Sequence, residues 1–347
     1  MRVQLNVRNR AYEYECAEQE KILFAGLHQG VELPYECGSG TCGTCKAKLI
    51  DGKIDDAWPD APGRRLLKAE QGEFLMCQCA PKCDVSIEVA SFVYASSPGD
   101  WKPTYFDARV ASTRHLTADV IAFDVALEAP MDFDAGQFVL LEAPGVPGFR
   151  GYSMVNFARR ARSLNFVMKR KPGGGVSEWL FGRDAESARL RLFGPLGKAT
   201  FYQGLGRNVL CIAGGSGIAG MMSILARGTQ EGYFKQFRGD VFFGIRAMRD
   251  AFFLEELAEL RNAFPEHLRV VVALSEEDVP DTARRAHAHL EFERGLVHEV
   301  AARCMEGRFH NVRAYLAGPP PAVEAAIRML LLKAKLTTDN IRYDKFS

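Results

Sequence analysis

Three folding units in series are what this sequence predicts: a small α+β unit, an antiparallel β-barrel and a doubly wound parallel sheet. Three observations carry that expectation. The chain has 347 residues, too many for one ordinary hydrophobic core. Five of its nine cysteines (Cys37, Cys42, Cys45, Cys77 and Cys79) crowd into one short region. Near residue 208 the apolar pattern changes from closely spaced strands to strands alternating with helices.

In the first unit, alternating segments at Val3 to Val7 and Tyr12 to Cys16, split by Asn9-Arg10, read as a hairpin. Ile22, Leu23, Ala25, Gly26 and Leu27 predict a helix that Gly30 stops, and Leu33-Pro34-Tyr35 forces an extended entry into a cysteine loop. Lys46 to Ile50, an Asp51-Gly52 turn and Val85 to Ala90 add strands. From Ala95 to Pro103 small residues, proline and glycine replace any periodic pattern, which predicts a linker. The boundaries that follow are a first unit over 1–95, a linker over 96–104, a second unit over 105–203 and a third over 204–347.

Strands at short spacing fill the second unit: Ala108 to Ser112, Val120 to Leu127, Gln137 to Glu142, Tyr152 to Asn156, Leu164 to Lys169 and Leu190 to Phe193. Such spacing predicts an antiparallel barrel. In the third unit Val209 to Ala213, Val241 to Ile245, Val270 to Leu274 and Ala314 to Ala317 are each followed by a helical stretch. That is the rhythm of a doubly wound parallel sheet.

Composition narrows the function classes. A hydrophobic fraction of 47%, a charged fraction of 25% and a formal net charge of +1 describe an ordinary globular protein. They predict no attraction to nucleic acid or membrane. Met1 to Gln19 alternates polar and apolar residues, unlike a signal peptide. No apolar run approaches the roughly 18 residues of a membrane span. Clustered cysteines in odd number fit a metal site in a reducing cytoplasm better than a disulfide framework.

The strongest chemical signal is Tyr35-Glu-Cys37-Gly-Ser-Gly-Thr-Cys42-Gly-Thr-Cys45 with a distant Cys77 in Leu75-Met-Cys77-Gln-Cys79. Four residues, then two, then a remote cysteine is the plant-type [2Fe-2S] spacing. Two irons need four thiolates and backbone N–H groups turned toward the sulfides, so Gly38, Gly40 and Gly43 supply conformations that side chains would block. The alternatives are a zinc site on Cys42 and Cys45, or buried thiols; zinc favours two short cysteine pairs, and the first gap here is too wide. Cys79 competes with Cys77 as fourth ligand, since both are expected on one short strand with the same face. Cys77 is preferred because its position matches the plant-type ferredoxin pattern. Cys16, Cys83, Cys211 and Cys304 read as core or surface residues.

Arg150-Gly-Tyr152-Ser153 resembles the flavin-binding motif of the ferredoxin-NADP reductase superfamily. The resemblance implies that Arg150 pairs with the pyrophosphate, the Tyr152 ring packs on the isoalloxazine and the Ser153 hydroxyl bonds near flavin N5. A planar guanidinium suits phosphate and an aromatic ring suits a flat heterocycle. Val167, Lys169, Gly175, Val176 and Ser177, in a strand, a glycine run and a helix expected to begin near Ser177, resemble the second flavin segment of that family. Gly194-Pro-Leu-Gly197 matches its turn at the barrel's end. FAD is expected over FMN, because a ferredoxin domain placed first resembles the FAD-using reductases.

Beyond the strand at 209–213, Gly214-Gly215-Ser216-Gly217-Ile-Ala-Gly220 opens a helix at Ile218, a strand–turn–helix unit that binds pyrophosphate in doubly wound folds. Gly244 and Arg246 follow the next strand, Ser275 the third, and Gly318-Pro319 the fourth, all at the strands' carboxyl ends where such sheets bind ligands. NADH is expected over NADPH, since Asp250 accompanies Arg246 and no dense basic cluster marks a 2′-phosphate site. Two residues depart from the family pattern: Gly220 stands where proline is usual, and Ala317 where cysteine is usual, near the expected nicotinamide C4. The ending Tyr343-Asp-Lys-Phe346-Ser347 resembles the family's aromatic terminus, with Phe346 the candidate cover for the flavin.

The resemblance spans the chain as β-grasp ferredoxin, flavin barrel and nucleotide sheet, and is similar to the reductase components of bacterial multicomponent oxygenases, especially aromatic monooxygenases. It implies an NADH:acceptor oxidoreductase that passes electrons through FAD and the cluster to a diiron aromatic monooxygenase or an intermediary ferredoxin. Catalytic parts fall to Tyr152, Ser153 and Phe346, with no general acid–base pair. The reductase of a Rieske dioxygenase or cytochrome P450, and a flavin and iron–sulfur redox sensor, remain open. The first 95 residues carry 11 basic and 14 acidic side chains, a net of −3 against +4 for the rest, so docking on a basic partner patch is a slight expectation.

Overall fold

The computed structural model describes residues 1–97, 99–182 and 185–345. In the first unit, β1 (Arg2–Val7) and β2 (Ala11–Glu15) form the expected hairpin. With β3 (Lys46–Asp51), β5 (Glu73–Leu75) and β7 (Val85–Val89) they make a mixed sheet in the order β2-β1-β7-β3-β5, in which β1 and β7 run parallel. β4 (Ile54–Asp56) and β6 (Cys79–Pro81) form a separate ribbon. α1 (Ile22–His28) buries Ile22 through Leu27 without interruption. A helix apolar nearly all round needs two covers. One is the sheet beneath it and the other is the barrel.

That barrel comprises β8 (Thr104–His115), β9 (Val120–Met131), β10 (Phe138–Glu142), β11 (Arg150–Ser153), β12 (Ala161–Lys169) and β13 (Arg189–Leu196). Its order is β11-β10-β13-β8-β9-β12, antiparallel at every pairing. The edges approach where the Val155 amide donates to the Asn165 carbonyl at 2.8 Å. α2 (Gly175–Leu180) lies between β12 and β13.

The third unit is a six-stranded parallel sheet: β14 (Asn208–Gly214), β15 (Gly239–Ile245), β16 (Leu268–Leu274), β17 (Glu291–Arg294), β18 (Val312–Gly318) and β19 (Ile341–Lys345), ordered β17-β16-β15-β14-β18-β19. α3 (Ile218–Gln230) and α4 (Leu254–Ala263) pack on the side continuous with the barrel core. α6 (Val297–Cys304) and α7 (Pro320–Leu332) cover the other, while α5 (Asp281–Ala286) is a short connector.

Several boundaries differ from the sequence expectation. Cys77 and Cys79 do not share a strand: Cys77 sits in the turn after β5 and Cys79 begins β6, opposite Asp56. β11 begins at Arg150 and ends at Ser153, so Met154 to Asn156 leave the sheet. α2 starts at Gly175, before Ser177. Gly194 to Leu196 continue β13, and the turn comes at Gly197, whose φ is +96°. β17 and β19 escaped the pattern because both are short edge strands with mixed polar sequence.

Contacts tie the units together. Phe24 of α1 stacks on Phe193 of β13 at 4.6 Å and meets Phe149 edge-on at 5.4 Å. Phe138, Leu140, Phe193 and Leu196 belong to the same buried cluster as Val3, Leu23 and Ile87 of the first unit. The linker is pinned as well, with the His28 ring nitrogen 2.9 Å from the Pro103 carbonyl. At the other junction buried Arg227 donates to the Phe201 carbonyl at 2.6 Å and to Asp134 and Glu231 at 2.8 Å each. Asp344 lies where all three units meet, and burial, then the charge of Glu36, pushes its carboxyl up to about 7.

Two outcomes follow. Phe24→Ala removes an aromatic from a shared core and should cost about 3–5 kcal/mol. Denaturant unfolding should then lose far-ultraviolet circular dichroism and native tryptophan emission in one transition, shifted to lower denaturant. For Asp344 the folded chain keeps a proton that the unfolded chain releases near pH 4, so stability falls as pH rises from about 4 to 7. Asp344→Asn should remove that slope: the variant should melt higher than the parent at pH 8, and the gap should close toward pH 4.

Candidate functional site

One cavity of about 750 Å³ runs between the barrel and the parallel sheet and reaches the cysteine loop. Its walls come from turns at the ends of parallel strands, the β11 segment and the β12–α2 loop. Sequence separation hides this convergence. Residues 37, 150 and 318 share one wall only once the sheets have packed.

The glycine turn after β14 shows why these residue types stand there. Gly214 ends the strand, and a short 3₁₀ turn over Gly215–Gly217 leads into α3. A Cβ on Gly217 would lie 2.6 Å from the backbone carbon and oxygen of Ala317, so only glycine lets β18 pass beneath. Gly318, with φ +141°, would meet the Gly214 carbonyl at 3.0 Å. Ala317 is buried under this turn and Gly220 lies in the first turn of α3, where an added Cβ would sit 3.6 Å from Ser153. The space at Gly220 is thus ordinary contact distance, and the seam between the barrel and the parallel sheet's unit runs through it.

Every described flavin and nucleotide candidate lines this cavity: Arg150, Tyr152, Ser153, Val167, Lys169, Gly175, Val176, Ser177, Gly214, Gly215, Gly217, Gly244, Arg246, Ser275, Gly318 and Pro319. Phe346 lies outside the described residues. Not all present free side-chain donors. The Ser177 hydroxyl closes the glycine loop, accepting from the Lys171 amide at 3.1 Å and lying 3.1 Å from the Lys171 and Gly174 carbonyls. Lys169 is paired with Asp119 at 3.0 Å. Gly244 leaves room for α6, since a Cβ there would approach Val297 at 2.7 Å. The Tyr152 ring is edge-on to Phe123 at 6.3 Å, and burial pushes its phenol up, so it stays neutral.

The sequence reading left out Asp119, Phe252 and Leu296–Val297, which also line the cavity. Asp119 sits in a hairpin turn, a signal visible in sequence, but its facing of Lys169 depends on the β9–β12 register. Arg246 and Asp250 stand 3.4 Å apart at the cavity wall. A carboxylate there offsets the charge of the arginine and would disfavour a phosphate brought to it.

At the cysteine loop the thiols form two facing pairs. Cys42 facing it holds Cys37 below the usual thiol range, while Cys37 and burial push Cys42 up. Cys45 is pushed up by its bond to Cys77, then by burial. Two sulfide-bridged irons need this two-by-two grouping, two thiolates to each. Among the described residues no three His, Cys, Asp or Glu side chains gather as one ion would require. Donors already aim at the sulfurs: the Ser39 amide at Cys37 (3.4 Å), the Thr44 amide at Cys42 (3.5 Å) and the Gln78 side chain at Cys77 (3.4 Å). Gly38, Gly40 and Gly43 all have positive φ, and a Cβ on Gly40 would meet Gln78 at 3.0 Å. The loop fits a plant-type cluster. Cys37 itself lines the cavity beside Ser39 and Thr41.

Comparison with known proteins agrees with this construction. Residues 5–82 match the 2Fe-2S iron-sulfur cluster binding domain, 107–201 the oxidoreductase FAD-binding domain and 211–328 the oxidoreductase NAD-binding domain. The ferredoxin–NAD(P)+ reductase CarAd of Metapseudomonas resinovorans is 35% identical over 95% of this chain and 96% of its own. The chain belongs to the family of ferredoxin–NAD(P)+ reductases that serve multicomponent oxygenases. It is also similar to the ferredoxin–NAD+ reductase component of an alkene monooxygenase system from Xanthobacter autotrophicus, at 31% identity over 97% and 99% of the two chains. The solved ferredoxin reductase in carbazole 1,9a-dioxygenase superposes with a TM-score of 0.84 at 33% identity, over 100% of this chain and 99% of that one. The reductase therefore works with a [2Fe-2S] cluster, FAD and NADH, and no helix among its described residues is long and apolar enough to cross a membrane.

Asp250→Ala in this reductase should raise the NADPH-to-NADH ratio of kcat/KM about tenfold or more, as one repulsive charge leaves and Arg246 is freed. Steady-state assays with ferricyanide and each nucleotide check the ratio.

Proposed function

We propose that this chain supplies electrons to a bacterial oxygenase acting on an aromatic ring, with a diiron monooxygenase as terminal component, reached directly or through an intermediary ferredoxin. Units over 1–95, 105–203 and 204–347 divide the work; the joining segment, expected over 96–104, ends one residue earlier, because Thr104 already opens β8 opposite Gly194. The observation that carries the reading is the single cavity in which Cys37, Tyr152 and the Gly214–Gly217 turn share walls. FAD supplies the conversion between a two-electron hydride donor and one-electron acceptors, and the cluster is the one-electron exit.

The protein's part is placement. Cys37 and Cys42 take one iron, Cys45 and Cys77 the other. Arg150 holds the pyrophosphate, Tyr152 lays its neutral ring on the isoalloxazine, and the Ser153 hydroxyl serves N5 either as donor or acceptor. The β12–α2 loop is kept in shape by Ser177. Gly214, Gly215 and Gly217 turn backbone toward the nucleotide pyrophosphate, while Arg246, Ser275, Gly318 and Pro319 border the rest. Phe346 is the aromatic cover.

A second reading, a Rieske dioxygenase system, is favoured by the end-to-end similarity to the carbazole dioxygenase reductase. Both readings share the internal route and differ in the acceptor. Cys42→Ser tests the route: anaerobic NADH should still bleach the flavin band, while cytochrome c reduction drops about tenfold or more, the size of loss expected when a positioned redox partner is removed. Undiminished delivery to cytochrome c and to the purified terminal component would remove the cluster from the path and the reading with it.

A further inference from the structure

Trp58 and Arg150 belong to different units, yet they touch. Trp58 lies in the loop after β4 of the iron–sulfur unit, and Arg150 opens β11 of the barrel. The guanidinium carbon of Arg150 stands 4.8 Å from the centre of the Trp58 ring, a cation over an aromatic face. Arg150 also donates through Nη1 to the Phe149 carbonyl at 2.9 Å. Stacking occupies the flat face of a guanidinium and leaves its remaining edge N–H groups free for a planar or tetrahedral anion. The two engagements are compatible.

Trp58 is itself firmly held. Its amide donates to Asp56 Oδ1 at 3.0 Å, and the other oxygen of Asp56 is ion-paired with Arg64. Its carbonyl accepts from the Ala61 amide at 3.1 Å, and its ring packs on the core of the first unit. One residue earlier, the Ala57 amide donates to the Gln78 carbonyl at 3.1 Å, and the Gln78 side chain donates to Cys77. Arg150 has no carboxylate partner among the described residues, so the ring and one carbonyl are what restrain a long, rotamer-rich side chain at the cavity wall.

We propose that Trp58 is a positioning residue for FAD: across the domain boundary its ring fixes the Arg150 guanidinium in the orientation that meets the pyrophosphate, so flavin retention depends on the iron–sulfur unit. This rests on the reading of Arg150 as pyrophosphate ligand. It places a flavin determinant in a segment matched to the iron–sulfur domain, more than ninety residues before the barrel motif.

FAD titrated into the deflavinated, cluster-loaded full chain, followed by quenching of flavin fluorescence, tests it. Trp58→Leu should weaken FAD binding about three- to tenfold, Trp58→Phe should keep most of the affinity, and Arg150→Ala should weaken it about tenfold or more. In the Arg150→Ala background Trp58→Leu should add nothing further. The visible cluster bands should be unchanged in each. Parental affinity in Trp58→Leu, with Arg150→Ala weakened, overturns the proposal alone. So does an undiminished effect of Trp58→Leu in the Arg150→Ala background. Parental affinity in Arg150→Ala overturns the reading of Arg150 beneath it. Trp58→Gln, planar but without an aromatic face, carries the same expectation should Trp58→Leu lose its cluster bands.

Discussion

The apolar core shared by the cysteine-loop unit and the barrel is the constraint on which the rest of the molecule depends. Phe24, wedged between the first sheet and Phe193, removes α1 from solvent on two sides. Domain contacts within a chain are commonly polar and mobile. This one is a buried aromatic junction backed by the Tyr35 hydroxyl, which accepts from the Gly197 amide at 3.1 Å. The iron–sulfur unit is held where Cys37 forms part of the cavity wall.

The second junction works differently. Between barrel and nucleotide sheet the contact mixes core packing with the buried Arg227, which satisfies three oxygens from three segments. A buried guanidinium left unpaired is costly, so its partners must be present together. That requirement fixes the register of α3 against the barrel, and α3 carries the glycine turn at its start. The seam beside Ser153 and Gly220 is thereby set to contact distance. Ala317 lies buried beneath the turn, its backbone packed against Gly217.

Charge tells a subtler story than net composition. The first 95 residues are acidic overall, yet the 3₁₀ turn that packs on the cluster loop, Pro62–Leu66, carries Arg64 and Arg65 with Leu66 exposed beside them. Asp56 is taken up by Arg64 and Glu73 by Lys46. Averages over a unit therefore describe its solubility better than the face it offers to an acceptor.

The sequence alone determined the order of the three units and singled out the cysteine loop, the glycine turn and the Arg-Gly-Tyr-Ser segment, because each is a local device whose chemistry is written in spacing and in residues that tolerate special backbone angles. It also placed the central strands, whose long apolar runs leave little choice. Tertiary structure alone decided that residues hundreds of positions apart line one cavity, that Ser177 is consumed in shaping its own loop, that Asp119 faces Lys169, and that Cys77 sits in a turn while Cys79 joins a ribbon. Edge strands β17 and β19 belong to the same group. These depend on register and on packing between units, and burial against a distant partner leaves no periodic trace in the chain that receives it.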